Sequence, residues 1–98
     1  MKVKILLNPY ANRWVAAAQA PAVDVACQAA GLDYELLVIP EPGGGKPETI
    51  NALQNGFDVV VAAGGDGTVS EVVNGLIADS EGKNTKPLGV IPLGTGND

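Results

Sequence analysis

The 98 residues, 46% hydrophobic and 17% charged, have the balance of one small folded domain rather than a disordered chain. A net charge of −5 with no histidine leaves no basic patch for nucleic acid or anionic lipid, and no imidazole for catalysis or metal binding. The six Lys and Arg residues are scattered, so an anionic ligand would have to be held by backbone N–H groups, a helix terminus or a metal ion.

Only four residues are aromatic, which leaves Val, Leu, Ile and Ala to build the core of helices packed on a buried sheet. Residues 3–7 read as a buried first strand, stopped by Asn8-Pro9. Residues 13–30 are Ala-rich and helical, with a break or kink expected at Pro21 and Gly31 ending the helix. The single Cys27 in this stretch reads as a small buried apolar residue. Residues 33–39 form a second strand closed by Pro40. The loop that follows carries Gly43-Gly44-Gly45 and reads as a flexible hinge before a short helix at about residues 48–54. Residues 58–63 predict a third, fully buried strand.

Residues 69–78 give the cleanest helix, because Val69, Val72, Val73, Leu76 and Ile77 fall on one face. Thr68 and Glu71 read as a Thr-x-x-Glu capping box at its start. A polar turn leads to a fourth strand at residues 88–91, followed by Pro92-Leu93-Gly94-Thr95-Gly96-Asn97-Asp98. No signal peptide or membrane span is read, so a cytoplasmic protein is expected.

Strands alternating with helices predict a three-layer α/β/α fold on a parallel sheet, β-α-β-α-β-α-β. Strand order 2-1-3-4 is favoured, because it sets the loops after strands one and three side by side at a switch point where ligands bind.

One of those loops is Gly64-Gly65-Asp66-Gly67-Thr68. Its glycines remove side chains where a ligand could touch the backbone and permit positive φ. The helix that follows points free N–H groups at the same place, so the loop can hold a phosphate without a basic residue. Asp66 then needs a reason to be there. It can bind Mg2+ bridging to phosphate oxygens, accept a proton from an attacking hydroxyl, or simply stabilise the turn. The loop is neither a Walker A sequence nor a dinucleotide fingerprint.

From Gly64 to Leu76 the wording Gly-Gly-Asp-Gly-Thr-Val-Ser-Glu-Val-Val-Asn-Gly-Leu resembles the signature of the diacylglycerol, sphingosine and ceramide kinase superfamily. The segment from Pro92 to Asp98 looks like its second signature, and Asn8-Pro9 resembles its first nucleotide contact. The resemblance implies the N-terminal domain of the NAD kinase/diacylglycerol kinase-like fold, with ATP and Mg2+. It implies that Gly64, Gly65, Asp66, Gly67 and Thr68 meet the phosphates. Glu71 would support the loop or the nucleotide, and Asn8, Pro9, Asn12, Gly94, Thr95 and Asn97 would line the nucleotide site. Asp66 is the expected catalytic residue and the expected metal ligand. The implied reaction moves the γ-phosphoryl of Mg-ATP to a primary hydroxyl of a lipid such as diacylglycerol.

The chain also departs from the pattern. Tyr10-Ala11-Asn12-Arg13-Trp14 replaces the family's glycine-rich continuation, although Asn12 can adopt the left-handed conformation a glycine supplies. Arg13 reads as an exposed residue at a helix start and Trp14 as packing. Ile39-Pro40 and the residues after them replace the family's threonine and Gly-His-Ala. Residues 1–98 are expected to be the nucleotide-binding portion of a longer kinase, without its β-rich lipid-binding domain and catalytically incomplete alone. Peripheral membrane association of the full-length protein and a homodimer through an exposed sheet edge go with that expectation. The alternatives are an NAD kinase or phosphofructokinase relative, and a non-catalytic nucleotide-binding or oligomerising module.

Overall fold

The computed structural model describes residues 1–9, 15–81 and 85–92. Seven elements alternate along the chain: β1 (Val3–Leu7), α1 (Val15–Ala29), β2 (Tyr34–Val38), α2 (Gly45–Gln54), β3 (Val59–Gly64), α3 (Asp66–Ser80) and β4 (Leu88–Pro92). The four strands are parallel and ordered β2-β1-β3-β4, as the alternation and the switch-point argument require. Register is in step across the centre, with Leu7 beside both Val38 and Ala63, and Gly64 beside Pro92.

Because strand side chains alternate in direction, the sheet divides the core in two. Leu6, Val60 and Ala62 pack with Ala52 of α2 and with Val72 and Leu76 of α3. Ile5, Leu7 and Ala63 point the other way, onto Val23 and Cys27 of α1. The layers are therefore α1, the sheet, and the pair α2 and α3. The single helix α1 is anchored where the Tyr34 hydroxyl donates to the backbone carbonyl of Asp24 (3.0 Å) and to its carboxylate.

Four expectations change on the structure. α1 runs unbroken through Pro21, which is exposed, so its ring needs no room in the core and the helix forgoes one i→i−4 bond. The hinge reading of Gly43-Gly44-Gly45 is replaced by a packed turn, in which only Gly43 uses a positive φ, of 81°. Gly44 and Gly45 are buried, and a Cβ on them would come within 2.7 Å of Ile39 Cγ2 and 2.8 Å of Glu71 Cβ. β3 is not fully buried, since Val59 and Val61 are half-covered. Finally, the apolar face of α3 is only partly used: Val72 and Leu76 are buried, whereas Ile77 is 48% exposed.

Candidate functional site at the carboxyl edge of the sheet

The ends of β1, β3 and β4 meet at one edge. Immediately after β1, the Asn8 N–H donates to the Ala63 carbonyl at 2.9 Å, extending the ladder by one bond. The Asn8 carboxamide Nδ2 donates to Thr68 Oγ1 at 2.9 Å. Thr68 is 1% exposed, in the first turn of α3. Gly64 closes β3 directly against it, where a Cβ would strike the Thr68 side chain. Pro9 is buried beside Asn8 in sequence.

The turn from β3 into α3 is a single residue, Gly65, with φ −106° and ψ −163°. The glycines of this loop do not use positive φ, contrary to the conformational reason expected for them; among the described residues the positive-φ glycines are Gly31, Gly43 and Gly56. Their use is spatial. A Cβ on Gly65 or Gly67 would meet nothing within 4 Å, so both open onto free space at the helix start. The first helical bond of α3 runs from the Val69 N–H to the Gly65 carbonyl at 3.1 Å. The N–H groups of Asp66, Gly67 and Thr68 precede it and have no carbonyl within the helix to meet. With the helix dipole behind them they form a cradle for an anion. The carboxylate of Asp66 stands exposed at the first helical position.

The capping box is overturned. α3 starts at Asp66 with Gly65 as its N-cap and no side-chain cap, so Thr68 already lies inside the helix. Glu71 reaches away from its own helix start and accepts the Gly45 N–H at 2.8 Å, at the start of α2. A carboxylate there meets a donor that the helix leaves unused and the positive end of the α2 dipole. Counting the free N–H groups of a helix led in by three glycines would have pointed to an acceptor supplied from elsewhere.

Asn8, Pro9, Gly64, Gly65, Asp66, Gly67 and Thr68 thus gather at one edge, with Glu71 one turn deeper and turned to α2. Asn12, Gly94, Thr95 and Asn97 lie outside the described residues, as do Arg13 and Trp14. Lys2 and Lys4 belong to the opposite edge, where they sit 4.6 and 5.0 Å from the centre of the Phe57 ring and Lys4 pairs with Glu35 at 3.0 Å. Among the described residues no group of three or more acidic, Cys or His side chains is placed to hold a metal ion. A metal beside Asp66 would draw most of its ligands from a bound phosphate and water, as Mg2+ commonly does.

Fold and site together define an open parallel α/β domain whose switch point carries a Gly-Gly-Asp-Gly-Thr strand-to-helix turn. The chain belongs to the diacylglycerol kinase catalytic domain family, whose model matches residues 2–98. It is 34% identical over 97 residues to a diacylglycerol kinase of Staphylococcus saprophyticus, covering 99% of this chain and 31% of that protein. To the diacylglycerol kinase of Staphylococcus haemolyticus it is 36% identical over 95 residues, 97% of this chain and 28% of that one. A solved structure of a diacylglycerol kinase from Bacillus anthracis str. Sterne superposes with a TM-score of 0.73 at 31% identity. The match covers 99% of this chain and 34% of that one. The chain therefore spans about a third of the length of the curated relatives it matches.

Proposed function

We propose that this chain is the nucleotide-binding part of an ATP-dependent lipid kinase that transfers the γ-phosphoryl of Mg-ATP to a primary hydroxyl of a lipid such as diacylglycerol. The observation that carries the reading is the free space beside Gly65 and Gly67 at the start of α3, at the switch point of a diacylglycerol kinase family domain. The cradle neutralises phosphate charge without a lysine, and that positioning and charge neutralisation is most of what phosphoryl transfer asks of a protein. Asp66 would suit a metal that neutralises phosphate charge, because its side chain is exposed beside the helix start rather than committed to the core. Mg2+ would supply charge neutralisation there, and Asp66 would hold it through its carboxylate.

The acceptor site belongs to the two-thirds of the relatives' length that this chain does not cover, so nucleotide binding and phosphoryl transfer separate. No helix among the described residues is long and apolar enough to cross a membrane. Titration calorimetry of the 98-residue chain should detect Mg-ATP, with no phosphatidic acid formed from diacylglycerol. Asp66→Ala should weaken Mg-ATP binding about tenfold or more while hardly changing binding in EDTA. If neither the chain nor a full-length protein containing it binds Mg-ATP, the reading fails.

A further inference from the structure

We propose that Asn8 is a positioning residue for the phosphate turn, holding the cradle in shape through Thr68 rather than through contact with the nucleotide. The proposal rests on the nucleotide-binding reading. Glycines at 64, 65 and 67 give this stretch considerable backbone freedom to lose, yet a cradle is effective only if its N–H groups already point one way. Something must hold the turn before a ligand arrives.

Asn8 is placed to do so. Its backbone N–H is fixed on the Ala63 carbonyl, the last residue but one of β3, and its carboxamide on Thr68 Oγ1, in the first turn of α3. One residue thus grips the chain on both sides of Gly64, Gly65 and Asp66, from a strand 60 positions away in sequence. Thr68 is itself held in place, being buried and packed directly against Gly64. A hydroxyl has one proton and two lone pairs. With one lone pair taken by the Asn8 amide, the Thr68 proton is directed away from Asn8, so the carboxamide also sets which way the hydroxyl can donate.

A double-mutant cycle in the full-length protein carrying this chain tests the route of action. Asn8→Ala should raise the KM for Mg-ATP about tenfold, leave the KM for diacylglycerol in mixed micelles unchanged, and have no further effect in a Thr68→Val background. Thr68→Ser, which keeps the hydroxyl, should retain the sensitivity to Asn8→Ala. An equal tenfold loss from Asn8→Ala in the wild-type and Thr68→Val backgrounds would mean direct, independent contact and would overturn the proposal. Amide hydrogen exchange in nucleotide-free protein gives a second arm that needs no activity. The Val69 amide, which closes the first turn of α3, should exchange at least about fivefold faster in Asn8→Ala. Unchanged exchange there also overturns the proposal. If wild-type protein binds no Mg-ATP, the nucleotide reading is what fails, and the exchange arm still decides whether Asn8 holds the turn.

Discussion

Gly65 and Gly75 are both glycines near or in α3, but they are glycines for opposite reasons. At Gly65 the backbone is extended and a Cβ would project into open space, so neither strain nor crowding requires glycine. On the proposed function, what remains is the ligand. Gly65→Ala should therefore cost no more than about 1 kcal/mol, the preference for glycine over alanine at an N-cap. It should at the same time weaken Mg-ATP binding, because the methyl fills the cradle; urea melts and calorimetry on one preparation separate the two effects. The glycine-rich loop, Asp66 and the strand-to-helix setting were legible in the sequence because they are contiguous. The Asn8–Thr68 bond was not, since it needs the register that brings β1 beside β3. Glu71 was misread for a related reason: Thr-x-x-Glu has the same wording whether it caps its own helix or, as here, a partner 26 residues away.

Between elements, the decisive contact is α2 on α3. A Cβ at Gly75 would lie 2.7 Å from Thr49 Cβ and 2.9 Å from the Lys46 carbonyl oxygen, so the helices meet backbone to backbone. Thr49 cannot withdraw, being fully buried with its hydroxyl donating to the Gly45 carbonyl at 2.7 Å. Replacing glycine by alanine inside a helix ordinarily gains up to about 1 kcal/mol. Here overpacking costs about 1–3 kcal/mol and wins, because one of the struck atoms is backbone. Gly75→Ala should lower the melting temperature by roughly 4–8 °C per kcal/mol lost in a domain of this size, read by circular dichroism. Glu71 also ties Gly45, at the start of α2, to α3. The elements themselves were legible from periodicity and strand order from the switch-point argument, but helix starts were not. Both α2 and α3 have a glycine N-cap, Gly44 and Gly65, and neither N-cap supplies a side-chain bond.

Among the described residues the two faces of the sheet are unequally covered, with two helices on one side and α1 alone on the other. Beside α1 an apolar groove of about 310 Å³ opens between Val23, Cys27 and Leu32 and the β4 residue Ile91. The α1 layer thus depends more heavily on a few anchors, and two of these titrate. Burial, and then the nearby Asp24 carboxylate, push the Cys27 thiol above its ordinary value near 9. The hydrogen bond to Asp24, followed by burial and the charge of Asp24, raises the Tyr34 hydroxyl above its ordinary value near 10. Each group favours its protonated, neutral form more strongly in the folded state than in the unfolded chain. At alkaline pH the unfolded chain therefore loses these protons first, and stability falls as pH rises. Their contribution is complete below about pH 9 and is lost as pH climbs through the ordinary values toward the raised ones. Urea midpoints should hold steady through neutral pH and decline above about pH 9, where Cys27 begins to ionise in the unfolded chain. Cys27→Ala should flatten the first part of that decline and Tyr34→Phe the later part, although each starts from a lower stability at neutral pH. A decline that keeps its shape in both variants would assign alkaline sensitivity to groups outside the α1 layer.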